Sequence, residues 1–138
     1  MNSENENEKD NLTTKHHLVR KFGCAIRGTS EAIRIDNSFK YHFTAAIFAI
    51  LIGFILRISE PEWIAIIIVI AMVLVAEMFN TVCEIMMKIY TKEYHNLVKK
   101  LLDISAGAVL FASIAALIVG VIIFGSNFHN LLDYFKAK

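Results

Sequence analysis

Cysteine is scarce in this chain, and the two present, Cys24 and Cys83, lie in different segments. They have neither the spacing of a metal site nor the density of a disulfide framework, so both read as free thiols. No run of basic residues is interleaved with aromatics, and the net charge is only +1, which excludes a nucleic-acid groove. No internal repeat and no strand-like alternation occurs, and the single proline, Pro61, stands between two apolar stretches. Residues 1–12 lack the basic start and adjoining apolar run of a secretory signal; polar and rich in Glu and Asn, they are expected to form a disordered cytoplasmic tail.

Hydrophobic residues, in contrast, make up 56% of the 138 residues, with a mean hydropathy of +0.52. That is too apolar for a soluble fold of this length, and the excess must face lipid. The expected fold is an all-α membrane protein with an N-terminal amphipathic surface helix and three transmembrane helices. From Thr13 to about Ile35, Leu18, Phe22, Ala25 and Ile26 form an apolar stripe among Lys15, Arg20, Lys21 and Arg27. Gly28 is expected to kink this helix. Spans follow at about 39–58, 63–87 and 102–124 within a membrane domain of residues 13–125, each near the roughly 20 residues needed to cross a bilayer. Pro61 fits the first turn of the second span, and Trp63 suits an interface. Phe128, Leu131, Leu132 and Phe135 recur at helical spacing, so residues 126–138 are expected to form a separate C-terminal interfacial helix.

Lys and Arg counts give the orientation. Residues 13–42 carry six and residues 88–101 carry four, against one at the edge of the first turn, so the N-terminus and the second connection are expected in the cytoplasm. In the third span Ala108, Ala112, Ala116 and Gly120 repeat every four residues, a ridge that permits close helix approach in lipid.

The polar residues of the second span carry the chemistry. At about 100° per residue, Glu84 lies about 20° from Glu77 and Asn80 about 60° from it, so the three share one stripe. A charged side chain at mid-membrane costs about 2.5–3.5 kcal/mol, and two carboxylates therefore need a cation, a proton or water. Pairing with Lys88 or Lys92 at the interface is the ordinary way to meet that need. A carboxylate pair with an amide also suits Mg²⁺, which binds a few carboxylates together with substrate phosphate. His16, His17, His42 and His129 show no convergent ligand spacing and read as interfacial.

The run Glu77-Met78-Phe79-Asn80-Thr81-Val82-Cys83-Glu84 resembles the Glu-x-x-Asn-(Ser/Thr)-x-x-Glu signature of the prokaryotic diacylglycerol kinase and undecaprenol kinase family. Three further landmarks stand in register: Asn37 to His42 before the first span, Glu93-Tyr94-His95, and Asp103 to Leu110 at the start of the third. The likeness covers about residues 21–124. It implies a homotrimer in the bacterial inner membrane that transfers the γ-phosphoryl group of ATP to a lipid hydroxyl, with an active site on the cytoplasmic side. Glu77 takes the family's general-base position, Glu84 and Asp36 the positions of Mg²⁺ ligands, and Asn80 that of a site-orienting amide. Glu93, Tyr94, His95 and Asp103 fall along the nucleotide.

Two positions depart from the pattern. Asp36 stands where the family usually has Glu, one methylene longer, and Leu102 stands where it has a lysine that neutralises nucleotide phosphate. Lys99, one turn before Asp103, is the candidate substitute. Three readings follow: a lipid kinase acting on undecaprenol or diacylglycerol, a catalytically impaired relative lacking the lysine, and a lipid-phosphate hydrolase on the same carboxylates.

Overall fold

The computed structural model describes the backbone of residues 3–90 and 96–136, with side chains over residues 18–89 and 96–130. All of the described regular structure is helical: α1 (Ser3–Ile35), α2 (Asn37–Leu56), α3 (Glu60–Tyr90) and α4 (Asn96–Lys136). The chain divides into two compact units, Met1–Ile35 and Asp36–Lys138.

The first unit is α1. It begins at Ser3, so most of the tail expected to be disordered is helical. Glu and Lys are good helix formers, and once a turn is nucleated, propagation adds one hydrogen bond per residue fixed. The helix also continues through Gly28. Leu18, Val19, Phe22 and Ile26 are exposed on it.

In the second unit, Asp36 caps α2: its backbone is extended, and its Oδ1 accepts from Ser38 N at 2.8 Å. The 20 residues of α2 rise about 30 Å at 1.5 Å each, the thickness of a hydrocarbon core. The helix ends in a Schellman motif. Arg57 is left-handed (φ 52°), its N–H donates to Phe54 O at 3.3 Å, and Ile58 N donates to Gly53 O at 3.2 Å. Two residues later a capping box starts α3: Glu62 Oε2 accepts from both Ser59 N and Ser59 Oγ at 2.7 Å, and Trp63 N donates to Ser59 O at 2.9 Å. Pro61 sits in the first turn of α3, where a missing N–H is harmless.

Among the described residues, three helices are long and apolar enough to cross a membrane, at Asn37–Leu56, Glu60–Ile89 and Asn96–Asn130. Phe48, Phe54, Ile55, Phe79, Phe111 and Leu117 are among many large apolar side chains left exposed. Such a surface is an aggregation hazard in water and an ordinary one in lipid. The separate C-terminal helix expected after Gly125 is instead a continuation of α4, which runs to Lys136. One glycine costs a helix only about 1 kcal/mol, and no proline follows to stop it.

Helix α3 is central, packing most extensively against α4 and less against α2. At the end of the bundle near the α2–α3 turn, Ile58, Ile66 and Ile123 form a small core with Trp63 and Phe124 packed on it. Gly53 permits the close approach there, because a Cβ at this position would lie 2.9 Å from the Trp63 ring. Asn127 Nδ2 donates to Glu62 Oε1 at 2.8 Å and ties α4 to the start of α3. The opposite end of the bundle is polar.

Candidate active site

Three bonds organise the polar end, each joining α3 to another element. Thr81 Oγ1 donates to Asp36 Oδ2 at 2.8 Å, so the residue that caps α2 is also fastened to α3. His42 Nε2, one and a half turns into α2, lies 3.0 Å from Glu77 Oε1. Ser105 Oγ donates to Asn80 Oδ1 at 2.7 Å and fixes α4. Asn80 then donates from Nδ2 to Glu84 Oε1 at 3.3 Å, which carries the network one turn along α3.

Burial separates the two glutamates of the stripe. Glu77 is only 2% exposed, with Asn80 (9%) and Thr81 (3%) buried beside it. Its Oε1 is held by His42, whereas its Oε2 has no partner among the described residues. An unpaired buried carboxylate oxygen is costly and calls for a proton, a water, an ion or a ligand. Glu84 is less enclosed, its side chain 42% exposed and 3.6 Å from Lys88 Nζ, so the ordinary interfacial pairing does hold for this residue. Asp36 connects to this stretch of α3 through Thr81, and Glu84 through Asn80.

A cavity of about 360 Å³ opens beside Glu77, lined by Ser38, His42, Asn80, Val109 and Ser113 among others. A second, of about 460 Å³, runs along the bundle between α2, α3 and α4 and is almost wholly apolar. Ala116 and Gly120 of the small-residue ridge line this second cavity, facing Ala45, Ala46 and Ala49 of α2. The ridge therefore borders open space as well as packed helix.

Of the residues singled out in the sequence, Asp36 is fastened to α3 through Thr81, and Asn80 bonds Glu84 one turn along from Glu77. Lys99 and Asp103 lie on the exposed first turns of α4. Leu102 is half-buried and its carbonyl oxygen lies 2.9 Å from Ser105 Oγ. Glu93, Tyr94 and His95 lie outside the described residues. Among those described, no three His, Cys, Asp or Glu side chains converge as a metal site.

His42 is the main correction to the sequence reading, since it faces buried Glu77 instead of an interface. Its position was legible: Phe39, His42, Ala46, Ala49 and Gly53 recur at alternating steps of three and four, the stripe of α2 that turns inward. Ser105 and Ser113 had no comparable signal, because hydroxyls in membrane helices are common and most bond their own backbone.

Fold and site together define a small helical membrane protein with an acidic, partly buried site at one end of its bundle. Residues 23–124 match the prokaryotic diacylglycerol kinase family. The chain is 31% identical over 116 residues to the undecaprenol kinase of Bacillus subtilis, covering 84% of this chain and 94% of that one. It is 30% identical over 105 residues to a diacylglycerol kinase of Synechocystis, covering 75% of this chain and 60% of the relative. A diacylglycerol kinase of Escherichia coli is 25% identical over 119 residues, with 86% and 98% covered. The chain belongs to the prokaryotic diacylglycerol kinase family of lipid kinases, and is a membrane phosphotransferase that uses ATP.

Proposed function

We propose that this protein transfers the γ-phosphoryl group of ATP to the hydroxyl of a membrane lipid, either undecaprenol or diacylglycerol, with Glu77 as general base. The observation that carries the assignment is the asymmetry of that carboxylate: Oε1 anchored on His42, Oε2 buried, unpartnered and beside a cavity. In this reading the lipid hydroxyl donates its hydrogen bond to Oε2. Its proton passes to Glu77 as the lipid oxygen bonds the γ-phosphorus and the bond to the ADP oxygen breaks. General bases of this kind contribute about 10²–10⁴-fold, while positioning and charge neutralisation supply most of the rest.

The donor chemistry fits Mg²⁺. Asp36 and Glu84 offer hard carboxylate oxygens, and each carboxylate keeps free lone pairs beyond its present bonds. One or two carboxylates suffice for Mg²⁺ when nucleotide phosphates and water complete the shell, which agrees with the lack of a closed three-ligand cluster among the described residues. When bound, the ion would neutralise charge on the β- and γ-phosphates. Asn80 holds Glu84 in place, and Thr81 does the same for Asp36. Lys99, with Asp103, faces the solvent that supplies nucleotide, and takes the phosphate-neutralising role that Leu102 cannot.

The surrounding architecture follows from the same reading. The exposed stripe of α1 lies on the cytoplasmic leaflet, the polar end of the bundle faces the cytoplasm, and three copies assemble so that neighbours complete each other's nucleotide sites. Leu102 supports a competing reading, in which the chain binds its ligands but transfers poorly.

The test uses purified full-length protein in lipid vesicles, given γ-labelled ATP, Mg²⁺ and a panel of lipid alcohols. Label in a lipid product, lost in Glu77→Gln, is the expected result. Nucleotide binding without transfer would favour the impaired relative, and release of phosphate from a lipid phosphate would favour a hydrolase.

A further inference from the structure

The hydroxyls of α3 and α4 set one residue apart. Thr81 Oγ1 has Asp36 Oδ2 at 2.8 Å and Glu77 O at 3.0 Å, Ser105 Oγ has Asn80 Oδ1 at 2.7 Å and Leu102 O at 2.9 Å, and Ser126 Oγ donates to Ile123 O at 3.0 Å. Each of these hydroxyls thus has an acceptor for its one proton, on a neighbouring element or on the preceding turn of its own helix. Ser113 has none: its Oγ is buried and without a hydrogen-bond partner among the described residues. Among those residues the other buried side-chain atom in that condition is Glu77 Oε2, and both residues line the same cavity.

Ser113 also has a particular place between the two cavities. It and His42 are the residues that line both the polar cavity at Glu77 and the apolar one that continues along the bundle. The apolar cavity, at about 460 Å³, falls in the range of small-ligand sites, and Ala45, Ala46, Ala49, Ala116 and Gly120 leave its walls smooth. A hydrocarbon chain lying there would carry its terminal polar group past Ser113 toward Glu77.

We infer that Ser113 is a substrate-positioning residue whose hydroxyl donates to the oxygen of the lipid alcohol, while that alcohol donates its own proton to Glu77 Oε2. The inference rests on the lipid-kinase reading and adds to it a second contact on the reacting oxygen, supplied by α4. A hydroxyl is both donor and acceptor, so one alcohol satisfies the two unpartnered atoms at once. The class of ligand this arrangement takes is an alcohol at the end of a hydrocarbon chain. A carboxylate would meet Glu77 as a like charge, and a plain hydrocarbon would leave both polar atoms unpaired.

Full-length protein in phosphatidylcholine vesicles tests this in two arms. In the first, without nucleotide, competition binding compares the prenyl alcohol farnesol with farnesene, its hydrocarbon counterpart. Wild type is expected to prefer the alcohol, Ser113→Ala to lose roughly twofold to tenfold of that preference, and Ser113→Thr to retain it. In the second, Ser113→Ala raises KM for the lipid alcohol by a similar factor and leaves KM for ATP unchanged. An undiminished preference in Ser113→Ala, or equal weakening of alcohol and hydrocarbon, would overturn the inference by reducing Ser113 to a packing residue. Because the first arm needs no turnover, a wild type that selects the alcohol but transfers no phosphate would sink the kinase reading while leaving Ser113 its role.

Discussion

Replacing His42 with Phe is the most informative single change. The substitution keeps a ring of similar size on the inward stripe of α2 but removes the nitrogen that lies 3.0 Å from Glu77 Oε1. A hydrogen bond to a charged group is worth about 1.5–3 kcal/mol. The Glu77 side chain is 2% exposed and that of His42 30%, so water can replace little of what is lost on the carboxylate side. If the bond mainly fixes the geometry of the base, that energy appears in the barrier and kcat falls roughly 10- to 150-fold. KM for ATP should hold, since no contact of His42 leads toward Lys99 or Asp103. His42→Gln, which can still donate to Oε1, should recover much of the loss. The assay is transfer of label from γ-labelled ATP to a lipid alcohol at saturating nucleotide, with helical content followed by circular dichroism. An unchanged kcat in His42→Phe, or an equal loss in His42→Gln, would refute the view that His42 holds the base.

Three further outcomes are expected. Thr81→Val deprives Asp36 of the bond at 2.8 Å and should raise the Mg²⁺ concentration for half-maximal transfer about tenfold, the lower end for outer-shell partners; chelation should abolish transfer and added Mg²⁺ restore it, and an unshifted Mg²⁺ curve would deny Asp36 its metal role. Lys99→Ala removes an exposed charge and should raise KM for ATP by about twofold to fivefold, and an unchanged KM would end the idea that Lys99 replaces the missing lysine. Gly53→Ala drives a methyl to 2.9 Å from the rigid Trp63 ring and should destabilise the bundle by about 1–3 kcal/mol, read as a lower unfolding midpoint in detergent; an unmoved midpoint would mean that the α2–α3 contact is loose.

Periodicity carried the sequence reading a long way in this chain, and the reason is physical. In lipid the backbone must satisfy itself, so an apolar run of sufficient length has few options besides a helix. The stripe of Glu77, Asn80 and Glu84 was equally legible, because a charge inside a span demands an explanation. Its division was not: Glu77 is enclosed by α2 while Glu84 reaches Lys88 and solvent, and only the packing of neighbours decides this. His42 escaped notice because, lacking metal-ligand spacing, it reads as interfacial when the inward stripe of α2 is not traced. Boundaries fared worst. Neither Gly28 nor Gly125 stops its helix, since one glycine is a weak breaker where the flanking residues favour the helix.

The Glu62 carboxylate, described as part of a cap, has a mechanical consequence for the distant base. Through Asn127 it pins the far end of α4 to α3, while Ser105 and Asn80 pin the near end, roughly 27 Å away along α3 and roughly 33 Å along α4 at 1.5 Å per residue. Two rivets on one seam forbid sliding: a slip of a single turn, about 5.4 Å, would shear both. The α3–α4 pair is thus a fixed rail, and any yielding needed to admit a long lipid falls to α2, whose fastenings at the polar end are Asp36 and His42.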